Sequence, residues 1–309
     1  MFYFIVNKSS GSGRGASVWA ELQQILDGQE IPYQYFLTKR QHHATELASE
    51  ISSMKDDDIR MVVLGGDGTI NEVLNGITDF SRIRLGVIPV GSANDFVTGA
   101  NLEKDPVKAL ERILAGNGNK HFDLGEAILP DGTKRIFGIS AGIGMDAIVC
   151  KKALTSPLKK ALNQVGLGKL TYVLLTLATL MDMERVPFHI RMKKKDGSTM
   201  DREIPGVIFL AAMNVPIEGG GVPMAPHASC HDGFLTACSA FGFNRLNGLG
   251  ALVKILTKRH EKKKGFLVED FQELEIHSKK PMVIHTDGEY AGDHMQVTFR
   301  VLPKILRML

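Results

Sequence analysis

Residues 3–6, 33–37, 61–64 and 85–88 are short runs of apolar, β-prone side chains. The third run is continuously apolar, as parallel strands buried on both faces are. Between these runs the apolar positions recur at helical spacing: Val18, Leu22, Ile25 and Leu26, then residues 44–51, then Ile70, Val73, Leu74 and Ile77 at i, i+3, i+4 and i+7. Another turn and helix follow the fourth run. This order predicts an α/β domain over residues 1–124, built as a doubly wound parallel sheet.

Near Asp123 the rhythm changes. Residues 188–192, 207–212, 234–239 and 296–302 are β-like, and Lys195-Asp196-Gly197-Ser198 reads as a hairpin turn between two such runs. A β-rich, mostly antiparallel second domain is expected over 125–292, with helical insertions near 158–183 and 246–260. The second insertion carries Leu249, Leu252, Val253 and Leu256 on one face. The apolar stretch 170–181 is too short to span a bilayer and reads as a buried helix.

The composition narrows the partners. A chain of 309 residues with 44% hydrophobic side chains builds its core without disulfides. Cys150, Cys230 and Cys238 form no C-x-x-C pair, so neither a zinc knuckle nor a redox motif is indicated, and a reducing cytoplasm is expected. A net charge of +3, with no interleaved basic and aromatic residues, argues against nucleic acid. The opening MFYFIVNKSSG lacks the basic region and cleavage site of a signal peptide.

Ligands of open α/β sheets sit beyond the carboxyl ends of the strands. The four segments there are Asn7-Lys8-Ser9-Ser10-Gly11 and its continuation to Gly15; Thr38-Lys39-Arg40; Gly65-Gly66-Asp67-Gly68-Thr69; and Gly91-Ser92-Ala93-Asn94-Asp95. Glycines let backbone N–H groups approach a phosphate, and a helix starting there turns its positive end towards the anion. Thr69 with Glu72 predicts a capping box, and Ser92 with Asp95 repeats that spacing. Asp67 in such a cradle would need a bridging Mg²⁺. The same segments taken singly also suit ordinary strand–helix turns. The G-x-x-x-x-G-K-[ST] spacing of a P-loop is absent.

GGDGTINEVLNGI from Gly65, GVIPVGSANDF from Gly86, SAGIGMDA from Ser140, the stretch 214–235 and Asp287-Gly288-Glu289 together resemble the soluble bacterial lipid kinases of the diacylglycerol kinase superfamily. The resemblance runs in order along nearly the whole chain. It implies an ATP-binding first domain, to which the tail 293–309 returns, and a second domain for the acceptor. It assigns ATP to Asn7, Lys8, Ser9, Ser10, Gly11, Thr38, Gly66, Asp67, Gly68, Thr69, Ile70, Asn71, Glu72 and Ser92, with Asp67 and Asp95 near the metal–phosphate centre. It makes Glu289 the proton acceptor, where the residues alone also read as a plain hairpin turn. It places a structural Mg²⁺ on the Asp232 carboxylate and the carbonyls of Ser229 and Phe234, where an Asp-Gly turn without metal is the other reading. Zinc on His227 and His231 is a weaker third. Ser92 stands where Thr is usual, and Ser140 where Asn is common.

The function so implied is ATP-dependent phosphorylation of a lipid, diacylglycerol first. The protein would be cytoplasmic and peripheral at the inner face of the membrane, and a homodimer is compatible with this. Three basic clusters suit an anionic surface: Lys151, Lys152, Lys159 and Lys160; Lys193, Lys194 and Lys195; and Lys258, Arg259 and Lys262 to Lys264. Competing readings are a kinase of a soluble acceptor such as NAD, and a non-catalytic nucleotide- or lipid-binding regulator.

Overall fold

The 61–64 run is the middle of strand β3 (Ile59–Gly65), which is buried along nearly its whole length because helices cover both sides of it. Around it β1 (Phe2–Val6), β2 (Tyr33–Leu37) and β4 (Ile83–Pro89) form a parallel sheet in the order β2-β1-β3-β4. Phe2, Phe4, Val6, Val62, Leu64 and Ile88 pack against α1 (Arg14–Gly28) and α5 (Pro106–Ala115). Alternate strand residues face the opposite side, where α2 (His43–Ser52) and α3 (Asp67–Gly76) pack so closely that a Cβ on Gly76 would strike the Thr45 carbonyl. The expected face of α3 is the buried one: Ile70, Val73, Leu74 and Ile77 are all in the core. A short helix, α4 (Asp95–Gly99), follows β4. The structure is a computed structural model describing residues 1–116, 120–155 and 168–309.

This unit comprises Met1–Leu124, Cys230–Gly233 and Leu302–Leu309. The tail was expected to return from about residue 293. It stays in the second unit longer, because β12 (Glu289–Met308) keeps its ladder with β11 (Phe266–Thr286) as far as Arg300. Only then do Arg307 and Met308 pair in parallel with β4. Asp123 fastens both returning segments. Its buried carboxylate accepts N–H groups from Gly233 (2.7 Å) and Lys304 (2.7 Å), and its own N–H donates to the Cys230 carbonyl (2.8 Å).

The second unit, Gly125–Ser229 and Phe234–Val301, is β-rich and mostly antiparallel as the pattern predicts. The chain enters it along β5 (His121–Ile128) and continues through β6 (Lys134–Phe137), β7 (Ser140–Gly144), α6 (Met145–Thr155) and α7 (Gly168–Asp182). It then forms β8 (Val186–Lys194), β9 (Thr199–Met213), β10 (Leu235–Phe241) and α8 (Arg245–Leu256). Two long strands organise it: β9 and β11 each pair antiparallel with β7, β8 and β10. The β8–β9 turn is the predicted one, with Gly197 at φ +82° and the Ser198 N–H donating to Asp196 Oδ1 (2.9 Å). Of the first expected insertion, residues 158–167 lie outside the described residues and the remainder is α7.

Leu249, Leu252, Val253 and Leu256 were expected to share one apolar face of α8. Leu249, Val253 and Leu256 do not turn that face to the core. They are instead 40%, 58% and 60% exposed, Leu252 is only half-buried, and Gly248, Ala251 and Ile255 face inward. Gly248 explains this, since a Cβ there would sit 3.1 Å from Leu180 of α7. The small side of the helix meets the fold, and the large apolar side is left over.

Asp123→Ala should leave two N–H groups without their acceptor at a buried site. A stability loss of about 2–5 kcal/mol follows from the cost of such groups. Denaturant unfolding measures it, and a midpoint unchanged from wild type would show that Asp123 does not fasten the returning segments.

Candidate active site

Three of the four strand-end segments meet through glycine. A Cβ on Gly91 would lie 2.5 Å from the Gly66 Cα, and one on Gly11 would run into the Val90 carbonyl. Ser10 Oγ lies beside Gly66, and Asn7 Nδ2 donates to Thr69 Oγ1 (2.9 Å) while Asn7 Oδ1 accepts the Ser9 N–H (3.1 Å). Loops 1, 3 and 4 therefore touch backbone to backbone. The helix N-terminus of α3 opens at this edge, with the first-turn N–H groups free of intrahelical acceptors.

Neither predicted cap forms. The N-cap of α3 is Gly66, and Thr69 is a buried partner of Asn7. Glu72 points the other way and accepts the N–H groups of His42 (2.9 Å) and Ala44 (3.1 Å), so it caps the neighbouring helix α2. Loop 4 enters α4 through Asn94 at φ +54°, whose side chain donates to the Gly91 carbonyl (3.0 Å), and Ser92 is exposed. In loop 3 long-range donors take up both acceptors of the expected box, and in loop 4 a long-range acceptor, Asp67, stands where Ser92 was expected.

Asp67 is the centre of this edge. Its carboxylate accepts the N–H of Asp95 on Oδ2 (3.1 Å) and of Phe96 on Oδ1 (3.1 Å). A side chain from loop 3 thus caps the helix that follows loop 4, and brings the buried Asp95 beside it. Gly68 is half-buried and Lys8 is exposed at the same edge. Ile70 and Asn71 are buried with side chains inward, which limits them to a supporting part. Thr38 ends β2, its N–H held by the Val6 carbonyl (3.0 Å).

In the second unit Glu289 pairs with Thr286 across a two-residue turn. Both turn residues have positive φ, Asp287 at +50° and Gly288 at +83°, the backbone a tight hairpin requires. Asp287 strains for a reason: its carboxylate accepts N–H groups from Gly138 (2.8 Å), Ile139 (2.8 Å) and Ser140 (3.0 Å). Ser140 acts here through its backbone, so the Ser-for-Asn difference leaves the contact intact. Beneath the turn the buried His285 accepts the Gly288 N–H on Nδ1 (3.2 Å), and its Nε2 faces Asp146 Oδ2 (3.1 Å). Gly142 makes the room, since a Cβ there would collide with both side chains. The sequence reading assigned nothing to His285 or Asp146. Their only signal was Asp146 within SAGIGMDA and His285 two residues before the Asp-Gly.

Burial pulls the His285 pKa down, but the hydrogen bond and charge of Asp146, with the charges of Glu218 and Asp287, outweigh it and the net direction is up. The Gly288 contact calls for a neutral ring, with Nε2–H donating to Asp146 and a lone pair on Nδ1.

Asp232 lies in the 230–233 segment of the first unit, and Ser229 and Phe234, which flank it, belong to the second. His227 is engaged on both ring nitrogens, by Glu261 (2.8 Å) and Asp270 (3.2 Å), while His231 packs edge-on to Phe122. Among the described residues no cluster of three His, Cys, Asp or Glu side chains has metal-binding geometry.

Residues 1–127 match the diacylglycerol kinase catalytic domain and residues 139–309 the YegS C-terminal NAD kinase beta sandwich-like domain. The chain belongs to the diacylglycerol kinase-like lipid kinase family. It is 30% identical over 298 residues, 94% of each chain, to YtlR of Bacillus subtilis (strain 168), which is named as a lipid kinase. It is 28% identical to a diacylglycerol kinase of Staphylococcus carnosus (strain TM300), over 81% of this chain and 78% of that one. A crystal structure of a diacylglycerol kinase from Bacillus anthracis superposes with a TM-score of 0.70 at 20% identity, covering 99% and 95% of the two chains. An NAD kinase from Archaeoglobus fulgidus in complex with ATP reaches 0.53 at 12% identity, covering 98% and 90%. Both superpositions concern the fold alone.

Two predictions follow from this geometry. Asp67→Asn keeps an oxygen for one of the two N–H groups at loop 4. It should cost about 1–2 kcal/mol of stability and nearly all turnover; a folded variant with wild-type kcat would remove Asp67 from the chemistry. The second concerns pH. A raised His285 pKa means that the protonated ring adds stability below its ordinary value near 6.5, a gain lost as pH rises through the raised value. Protonation also puts a hydrogen on Nδ1, against the Gly288 N–H. Turnover should therefore fall as pH drops through the raised pKa. Asp146→Asn keeps the acceptor but removes the charge, so this acid limb should move to lower pH. An unmoved limb would contradict the coupling.

Proposed function

We propose that the chain is an ATP-dependent lipid kinase whose first acceptor is diacylglycerol, giving phosphatidic acid. The observation that carries this is the edge where Gly11, Gly66 and Gly91 bring three loops together around Asp67 and Asp95. Its small side chains leave space for triphosphate oxygens, and its N–H groups and helix end supply the field that anions need. The lipid acceptor comes from the family and from the names of its relatives.

In this reading Asn7, Lys8, Ser9, Ser10, Gly11, Thr38, Gly66, Gly68, Thr69 and Ser92 surround the nucleotide. Ile70, Asn71 and Glu72 support it from behind, because their side chains point into the core or cap α2. Asp67 and Asp95 offer hard oxygen donors that would hold Mg²⁺, which would supply positive charge against the charge developing on the transferred phosphate. The oxygen-only set of Asp232 with the Ser229 and Phe234 carbonyls suits a second, structural Mg²⁺. The acceptor oxygen attacks the γ-phosphorus as the bond to the β-phosphate oxygen breaks and ADP leaves. Glu289 takes the acceptor's proton, held at its strand tip by the Asp287 and His285 contacts.

Labelled ATP offered with diacylglycerol, other lipid alcohols and NAD tests the reading. Labelled phosphatidic acid is expected. Labelled NADP without labelled lipid would overturn the acceptor, and no transfer to any acceptor would leave only a binding protein. Glu289→Gln should lower kcat by about 10²–10⁴-fold with little change in ATP affinity. A normal kcat would exclude it as the base, and a lost ATP affinity would move it to the nucleotide.

A further inference from the structure

The three basic clusters of the chain are not equivalent. Lys151 is paired with Asp293, and Lys152 donates to Thr179 Oγ1 (3.1 Å). Lys194 pairs with Glu269 (3.2 Å) and Lys195 with Asp270 (3.2 Å). Lys151, Lys194 and Lys195 are thus paired with acids and Lys152 is hydrogen-bonded, while Lys193 stands alone as an exposed cation without an acidic partner among the described residues; Lys159 and Lys160 lie outside the described residues. The third cluster differs. Arg245, Lys254, Lys258, Arg259, Lys262, Lys263 and Lys264 are all exposed, and none has an acidic partner among the described residues. The one acid between residues 245 and 264, Glu261, is engaged by His227.

These cations flank the helix face that the core does not use. Leu249, Val253 and Leu256 of α8 stand exposed, and α7, packed against α8, adds the exposed Leu177 and Met181. An isolated exposed leucine is unremarkable on a protein surface, but an apolar stripe along a helix with a basic border is not. The segment after the helix is anchored: the buried His260 contacts the Met224 carbonyl through Nε2 (2.8 Å) and packs on Phe266. Lys258 to Lys264 therefore belong to a segment that follows the helix directly and is anchored at His260. A helix with large apolar side chains on one side and unanswered cations around it is the form that lies in a bilayer interface.

We propose that α8 and the basic segment to Lys264 are a docking surface for an anionic lipid bilayer, with Leu249, Val253 and Leu256 entering the headgroup–acyl boundary. The charge complementarity singles out this occupant: a second copy of the same face would bring seven cations against seven. The proposal rests on the lipid-acceptor reading, which supplies the need to reach a bilayer, but it is tested apart from it.

The test is co-sedimentation of the full chain with phosphatidylcholine vesicles, with and without phosphatidylglycerol. Wild type should bind the anionic vesicles, and added salt should weaken it because exposed charges are screened. Replacing Lys262, Lys263 and Lys264 together by Gln should lower vesicle affinity by about 100-fold at low salt, from roughly fivefold per cation near such a surface. Val253→Glu with Leu256→Glu should abolish binding while the melting temperature stays that of wild type, since both side chains are exposed. Both variants should still turn over a short-chain diacylglycerol dispersed in water. Vesicle binding equal to wild type in either variant, or a wild type that ignores phosphatidylglycerol, would overturn the proposal. So would a dimer that Leu256→Glu dissociates without changing vesicle binding, which would make the face a contact between copies. Anionic vesicle binding by a wild type that phosphorylates no lipid supports the docking surface and sinks the acceptor reading alone.

Discussion

The loop edge of the first unit depends on two hydrogen bonds accepted by one carboxylate. Asp67 belongs to loop 3, yet it accepts the N–H groups of Asp95 and Phe96 after loop 4. A helix of only five residues has little stability of its own, because so few turns cannot offset the cost of nucleation. Asp67 supplies the missing cap, and the orientation of Asp95 follows from it. Close approach then constrains the glycines. With loops 3 and 4 fastened this closely, Gly91 has no space for a Cβ, and one on Gly66 would lie 3.0 Å from the Gly91 Cα.

The second unit uses the same device. Asp287 accepts three backbone N–H groups at the start of β7, and so fixes the turn that presents Glu289. Charge-assisted bonds to backbone donors are stronger than neutral ones and directional. Each unit thus uses the carboxylate of one aspartate to hold backbone beside a second acid, Asp67 beside Asp95 and Asp287 beside Glu289. A motif of two acids close in sequence does not by itself mean two reacting groups.

How much of this was legible in the sequence depended on the range of the interaction that decided it. The parallel sheet and the buried face of α3 came directly from hydrophobic period, since Ile70, Val73 and Leu74 obey local geometry. The convergence of the loops followed from topology. The capping box at Thr69 failed because a partner 62 residues away, Asn7, claims its hydroxyl, and because Glu72 is drawn to the amides of α2. His285 and Asp146, 139 residues apart, carry no pattern that pairs them in a single sequence.

The α8 face shows what hydrophobic period leaves open. The spacing groups Leu249, Val253 and Leu256 on one side, and that side does not meet the core. Period reports which residues share a face and is silent on what that face meets. The sequence did carry the deciding clue, though at a position polar–apolar patterning ignores. Gly248, with Ala251, makes a narrow side on which Leu180 of α7 can sit. A helix with small residues on one side and leucines on another can bury either. Close approach favours the small side wherever a neighbouring helix is already present, as α7 is here. The leucines then remain at the surface, and the cations along their edge set the chemistry of whatever covers them.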